Sequence, residues 1–348
     1  MKILVSALEH SANVHLKSLK QELSEDVEFI GIFDKSLGKP VVDLRSFAIM
    51  GFVDALKKLR FFFKLNDEML QLSEEADKVL LIDSSGFNLP LAKKIKKKYP
   101  KKKIIYYILP QAWAWKKKRI PVLTKTIDKL CSILPFEPSY YPKEAPIEYV
   151  GHPLLDQIQK FKESLNSEVK HIAFMPGSRK GEITKLMPIF KELQALLHVK
   201  ATIVIPKHFA QQDIDELYGD ISAFSVSNEP HETLYDADFA FICSGTATLE
   251  AALIGVPFVL SYIAKPLDYY IASKLVKLDY IGLGNIMFSQ YKSEALHPEF
   301  IQEDVSIENL LKVYNEFDRE KFLYNSKSLR KYLKHGSSQK VAQIIEED

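Results

Sequence analysis

The chain has little of what usually announces a chemistry. Among 348 residues there are two cysteines, Cys131 and Cys243. Both fall in apolar, strand-like runs, which argues against a disulfide framework and suits a reducing compartment. No Cys/His spacing matches a metal site. No run of about 20 apolar residues is present to span a bilayer. The N-terminus turns polar by Glu9, too soon for the apolar core of a signal peptide, so a cytoplasmic location is expected. Gly-x-x-x-x-Gly-Lys-Ser/Thr is absent, and no Gly-x-Gly-x-x-Gly follows the first strand-like run. P-loop ATPase and simple dehydrogenase readings lose ground together. No repeat of solenoid period is evident.

What is present describes a globular protein with a proper core, 47% hydrophobic and 26% charged, and long enough for two domains. The net charge of +2 conceals an asymmetry. Residues 1–150 carry 26 Lys and Arg against 18 Asp and Glu, and the remainder carries 21 against 27. A basic first half suggests an anionic surface opposite it, either nucleic acid or lipid.

Apolar runs alternate with helical patterns almost from end to end. Strands are predicted at Lys2–Ala7, Lys78–Ile82, Lys103–Ile108 and Leu130–Leu134. A second series runs through His171–Met175, Ala201–Ile205, Ala223–Val226, Phe239–Cys243 and Pro257–Tyr262. Helices are predicted near Ser11–Leu23, Asn88–Lys98 and Glu182–Leu197, and the tail from Ser306 reads as helical. The alternation points to parallel sheets covered on both faces, in two doubly wound α/β domains. The expected division is 1–155, 156–325 and a helical tail, 326–348. Ligands of such sheets bind beyond the carboxyl ends of the strands, where strand order switches.

Three segments carry the chemistry. In Phe241-Ile-Cys-Ser244-Gly245-Thr246-Ala-Thr248-Leu-Glu250 an apolar run ends in small residues and a helix begins at once. Free N–H groups there suit phosphate, and Glu250, a turn further in, suits ribose hydroxyls. Pro176-Gly177-Ser178-Arg179 is a second turn after a strand, with a guanidinium to grip a diphosphate. In Ile82-Asp83-Ser84-Ser85-Gly86-Phe87-Asn88 a carboxylate stands at a strand's carboxyl end, placed to take a proton from a sugar hydroxyl. Helix capping and ordinary loops account for each of these turns taken singly.

Two further segments are unusual. From Phe47 to Leu65 a helical face holds Ile49, Phe52, Val53, Leu56, Leu59 and Phe63. Lys57, Lys58, Arg60 and Lys64 flank it, and Phe61 and Phe62 add apolar surface beyond it. Such a helix suits an anionic membrane, or else packs on a core. Trp113 and Trp115, followed by Lys116–Arg119, suit a membrane interface, stacking on RNA, or packing beneath a loop.

Taken in order, these pieces resemble the lipid-A-disaccharide synthase family, inverting glycosyltransferases of GT-B type. The matching segments are Ile49-Met50-Gly51, Ile82-Asp83 with Phe87-Asn88, Pro110-Gln-Ala-Trp113-Ala-Trp115, and Leu134-Pro-Phe-Glu137. They continue with Val150-Gly-His152-Pro153, Pro176–Arg179, Ser244–Ala247 with Leu249-Glu250, and Asp279-Tyr280 followed by Asn285. The ordered set is specific where each alone is weak.

The resemblance implies two domains facing across a cleft, with the tail crossing back onto the first. It implies sugar transfer from UDP-2,3-diacylglucosamine to 2,3-diacylglucosamine 1-phosphate, giving a β-1,6-linked disaccharide and UDP, with no cofactor and no metal. Asp83 would be the base on the acceptor hydroxyl, with Glu9 as a second catalytic carboxylate. Gly177, Ser178, Arg179, Ser244, Gly245, Thr246, Glu250 and Asn285 would hold UDP-sugar, and Ser11, His10 and Asn88 the acceptor side. Phe52, Leu56, Phe61, Phe62, Phe63, Trp113 and Trp115 would meet the inner face of the inner membrane. A homodimer with exchanged C-terminal elements is also implied.

One departure stands out. The family usually has Gly-Glu-x-Ser-Gly-Asp after the first strand, and this chain has Leu8-Glu9-His10-Ser11-Ala12-Asn13, without either glycine. The rival readings are a UDP-sugar 2-epimerase or another GT-B transferase on a soluble sugar, and a nucleic-acid-binding module. The first two leave the Phe61–Phe63 cluster unexplained. The third leaves the acidic second half and its phosphate-type turns unexplained, so no nucleic-acid partner is expected.

Overall fold

In the computed structural model, residues 1–42, 55–115, 117–264 and 279–347 are described. Each apolar run that ends in a polar turn becomes a parallel strand. The first sheet contains β1 (Lys2–Ser6), β2 (Glu28–Ile32), β3 (Lys78–Ile82), β4 (Lys103–Tyr107), β5 (Lys129–Ser132) and β6 (Ile147–Tyr149), in the spatial order β2-β1-β3-β4-β5-β6. The second contains β7 (His171–Met175), β8 (Lys200–Val204), β9 (Ser225–Ser227), β10 (Phe239–Ile242), β11 (Phe258–Tyr262) and β12 (Glu299–Ile301), in the order β12-β11-β10-β7-β8-β9. Every pairing is parallel. Ile3, Leu4 and Val5 are all fully buried. Successive strand residues face opposite ways, so both faces of the sheet must be covered by helices. Three strands, β2, β6 and β12, are additions to the expected set.

The chain divides into two units, Met1–Asp156 with Leu333–Asp348, and Gln157–Tyr332. In the first, strand order reverses between β1 and β3; in the second, between β7 and β10. Those reversals open a crevice at the carboxyl ends of each strand pair, the usual ligand site of an open α/β sheet.

The C-terminal segment completes the first unit. Helix Ser337–Glu346 buries Val341, Ala342, Ile344 and Ile345 in one cluster with Ile3, Val5, Leu16 and Leu19. Both its ends are held by side chains of the sign that complements a helix dipole. Asp156 accepts from the Gly336 N–H at 2.7 Å and the Ser338 N–H at 3.2 Å. At the other end Lys78 donates to the Ile345 carbonyl at 2.7 Å.

The basic surplus of the first half is not one free face. Lys2, Lys78, Lys103 and Lys129 open four strands and therefore stand at the edge opposite the crevice. Several lysines are committed internally, including Lys96 to Asp128 at 2.7 Å and Lys2 to Glu75 at 3.5 Å.

The aromatic segments correct two expectations. On helix Ala55–Leu72, Leu65 and Met69 are buried, and Phe61, one turn earlier, packs on the same core. The inward stripe therefore runs through 61, 65 and 69, not through Phe63. Phe63 is instead 59% exposed and Phe62 36%. Trp113 is buried, its ring 4.9 Å from Phe136 in an edge-to-face arrangement and 5.9 Å from Tyr140. It packs beneath a loop and presents no surface to a membrane. Phe52 and the Ile49–Gly51 segment lie outside the described residues, as do the side chains of Leu56 and Trp115.

Candidate active site

The crevice between β1 and β3 holds a cavity of about 650 Å³. Leu8, Phe62 and Phe87 give it an apolar wall, and Glu9, Asp83, Ser84 and Ser85 a polar one. Asp83 follows β3 directly, and its backbone and that of Ser84 are left-handed, with φ of +50° and +42°. Each such non-glycine residue costs roughly 1–2 kcal/mol, so the turn must be held. Three bonds hold Asp83. Its N–H donates to the Tyr107 carbonyl at 3.1 Å. Its carbonyl accepts from the Tyr106 hydroxyl at 2.6 Å and from Asn88 Nδ2 at 2.8 Å. The Ser84 hydroxyl donates to Glu9 Oε1 at 3.3 Å, linking the two acidic residues across the crevice. Burial pushes the Asp83 carboxyl above its ordinary value, the Ser84 N–H opposes this, and the nearby Glu9 charge adds to it.

Asn88 does not reach this cavity. It is fully buried, and its amide also donates to the Ile82 carbonyl while its oxygen accepts from Ser6 Oγ at 2.6 Å. It builds the turn with both amide N–H groups and, being fully buried, is not exposed to an acceptor. His10 and Ser11 open helix His10–Glu22 and are exposed, but neither lines the cavity. Asn13 accounts for the altered first turn: it donates to the carbonyls of Ala7 and Glu9, both at 2.8 Å, and accepts from the Asp34 N–H at 2.7 Å. A side-chain staple thus shapes the loop without the glycines.

The crevice between β7 and β10 holds a second cavity, of about 620 Å³. Gly177, Ser178, Arg179, Ser244, Gly245, Thr246 and Glu250 all line it. Two turns with spare N–H groups and a guanidinium meet here, as a diphosphate requires. Gly177 has φ +105°, and a Cβ there would lie 2.7 Å from Glu182 Oε2 and 3.2 Å from Cys243 Sγ. Gly245, at φ +151°, precedes helix Thr246–Ile254, and space for a Cβ there is open. Thr248 Oγ1 closes the turn on the Gly245 carbonyl at 2.8 Å. The Glu250 carboxylate lies 3.6 Å from His231 Nε2.

Sequence reasoning missed Glu182. It is buried and binds Arg179 Nη1 at 2.8 Å, which fixes an otherwise exposed guanidinium at the cavity wall. Its spacing of three residues from Arg179 at a helix start was the available signal. Burial pushes the Cys243 thiol up to about 12, so this lining group stays an uncharged thiol.

Asn285 is corrected as well. It is fully buried, donates to the His297 carbonyl and Glu299 Oε1, both at 2.8 Å, and accepts from the N–H groups of Leu296 and His297. Every donor and acceptor is used, so it braces the start of β12 and cannot contact UDP directly. Among the described residues no group of three or more His, Cys, Asp or Glu could hold a metal. The chain's two Asp-x-Asp pairs are engaged elsewhere, with Asp213 on Lys180 and Asp238 on the N–H groups of Lys170 and His171.

Comparison with known proteins bears on the fold and the family. In fold the chain is similar to UDP-GlcNAc 2-epimerase from Neisseria meningitidis bound to UDP-GlcNAc, with a TM-score of 0.63 at 11% identity, covering 99% of both chains. It is also similar to Acinetobacter baumannii MurG, with a TM-score of 0.58 at 13% identity, covering 99% of this chain and 98% of that one. At such identities the likeness is one of fold alone. In sequence it is 52% identical to a lipid-A-disaccharide synthase of Helicobacter pylori (strain ATCC 700392 / 26695), over 98% of this chain and 96% of that protein. It is 45% identical to one of Campylobacter jejuni (strain RM1221), over 99% of each. The profile of the lipid-A-disaccharide synthetase family matches residues 3–348. The chain therefore belongs to the lipid-A-disaccharide synthetase family and is a GT-B glycosyltransferase.

Proposed function

We propose that the protein transfers 2,3-diacylglucosamine from its UDP derivative to the 6-hydroxyl of 2,3-diacylglucosamine 1-phosphate, forming a β-1,6-linked disaccharide. The observation that carries this reading is the carboxylate pair in a partly apolar cavity of one unit, with a phosphate-type cavity in the other. The acceptor sugar sits by Asp83, with Phe62 and Phe87 against its acyl-bearing part. Asp83 takes the proton of the 6-hydroxyl as that oxygen attacks the donor's anomeric carbon. The bond from that carbon to the UDP oxygen breaks on the opposite side, which inverts the centre. The leaving diphosphate keeps the electron pair, and Arg179 with the N–H groups of the two turns stabilises its charge. Glu250 receives the ribose hydroxyls. A raised pKa makes Asp83 a stronger base than an ordinary carboxylate and moves the acid limb of kcat upward.

The exposed Phe62 and Phe63 edge dips into the inner leaflet, beside Arg60 and Lys64. No helix among the described residues is long and apolar enough to cross the membrane. A homodimer exchanging C-terminal segments would reuse the seat of helix Ser337–Glu346 between two copies, and light scattering of the purified protein tests it.

The reaction is tested by incubating the protein with both lipid substrates and following the disaccharide by mass. Asp83→Asn is expected to cut turnover by about 10²- to 10⁴-fold while UDP still binds. Turnover that survives the substitution removes Asp83 from the role of base.

A further inference from the structure

We propose that Arg119 binds the phosphate of the acceptor and makes the enzyme choose phosphorylated over unphosphorylated lipid monosaccharide. The proposal rests on assigning the Asp83 cavity to the acceptor. Charge raises the problem that Arg119 solves. The polar wall of that cavity carries two carboxylates, Glu9 and Asp83. A phosphate monoester carries about −1.5 to −2 near neutral pH, and such a wall repels it unless a cation is fixed close by.

Arg119 is half-buried, and its Nη1 donates to the hydroxyl of the wall residue Ser85 at 2.7 Å. Ser85 is two residues from Asp83, hence within about 7 Å of it. The guanidinium is close enough to act electrostatically on Tyr106, whose hydroxyl holds the Asp83 carbonyl. Arg179 and Arg330 each have a carboxylate partner. Among the described residues Arg119 has none, and no nitrogen of its side chain is sealed from solvent without a bond. Its cationic donors remain available for a ligand. Its backbone is anchored where the turn Lys117–Arg119 meets helix Ile120–Thr126, whose Ile120 and Leu123 sit in the same core as Tyr106.

A guanidinium held by one bond keeps a planar face of N–H groups that matches two phosphate oxygens. In the acceptor, C1 with its phosphate and C5 with the reacting 6-hydroxymethyl group both flank the ring oxygen, so the two groups leave the same edge of the sugar. A cation a short way along the wall from the base meets that group while Asp83 meets the hydroxyl. An acceptor without the phosphate loses the bond and leaves the acidic wall unbalanced.

The test compares two acceptors, 2,3-diacylglucosamine 1-phosphate and the same lipid without phosphate, on the full chain and on Arg119→Ala, Arg119→Lys and Ser85→Ala. The full chain is expected to prefer the phosphorylated acceptor by about 10- to 100-fold in kcat/KM, the range of a charged hydrogen bond. Arg119→Ala is expected to collapse that ratio towards 1, Arg119→Lys to keep part of it, and Ser85→Ala to keep most of it. An equal slowing of both acceptors in Arg119→Ala overturns the proposal, since it marks a role in holding the turn. A ratio that survives in Arg119→Ala also overturns it. If Arg119→Ala does not fold, judged by UDP binding and melting, the Arg119→Lys ratio decides. A full chain that makes no disaccharide from the phosphorylated acceptor removes the assignment of the cavity, a failure distinct from loss of the ratio.

Discussion

Asn88 Nδ2 lies 2.8 Å from the carbonyl oxygen of Asp83, five residues before it in the chain. That bond, together with the Tyr106 hydroxyl on the same oxygen, keeps two consecutive non-glycine residues in a left-handed turn. The conformation is unfavourable in isolation and persists because the buried surroundings determine it. Its effect is to aim a carboxylate into the crevice and not along the sheet.

Asn88→Ala removes both donors and orphans Ser6 Oγ, which is itself fully buried. A stability loss of about 1–3 kcal/mol is expected from the unsatisfied groups. Turnover is expected to fall tenfold or more at 37 °C, with UDP affinity unchanged. Steady-state kinetics beside a UDP titration check this; intact kcat means the turn holds without Asn88.

Gly177→Ala puts a methyl group 2.7 Å from Glu182 Oε2 at a φ that side chains rarely adopt. Glu182 must shift, and Arg179 loses its guide. UDP affinity is expected to weaken by an order of magnitude or more while the melting temperature drops only modestly. Calorimetric titration with UDP reads the effect.

Phe62 and Phe63 face outward on helix Ala55–Leu72, whereas Phe61 faces the core. Phe63→Ser is expected to lower co-sedimentation with anionic vesicles and leave the melting temperature within a degree or two. Phe61→Ser is expected to destabilise the fold instead. The opposite pattern assigns Phe63 to a packed surface.

Burial lowers His171 below its ordinary value, and three others much further: His15 to about 4, and His152 and His297 to about 3. A second, smaller cause at His152 is the charge of His15. The folded pKa of these three lies below the ordinary histidine value of about 6.5, so their stabilising contribution is whole above pH 6.5. It is lost as pH falls from 6.5 towards 3–4, by on the order of 3 kcal/mol per histidine. Melting temperature is expected to decline steadily below pH 6.5, and His152→Gln to flatten that decline. A pH-independent melting temperature between 6.5 and 4.5 contradicts neutral burial.

Much of the fold was legible because parallel strands buried on both faces read as unbroken apolar runs, as in Val79–Ile82 or Phe239–Ile242. β2 was harder: Gly31 interrupts Glu28–Ile32, and the run is short. β12 is only three residues, each half-buried. The two turns that line the second cavity were legible because small residues, a strand end and a helix start coincide at Gly177 and Gly245. Direction was not legible. Nothing local says that Trp113 turns inward onto Phe136, that Phe61 and not Phe63 meets the core, or that Asn285 is consumed by β12. Those outcomes depend on partners distant in sequence, as does the pairing of Arg119 with Ser85.

The seat of helix Ser337–Glu346 carries a consequence for biogenesis. Its apolar residues close the same core as Ile3 and Leu16, yet they emerge from the ribosome only after the whole of Gln157–Tyr332. Until then the nascent lobe keeps a greasy groove beside helix His10–Glu22, with Asp156 and Lys78 awaiting the two helix ends. Co-translational folding of this lobe is therefore completed last, and a chain stalled or clipped before Leu333 presents that groove to chaperones and proteases.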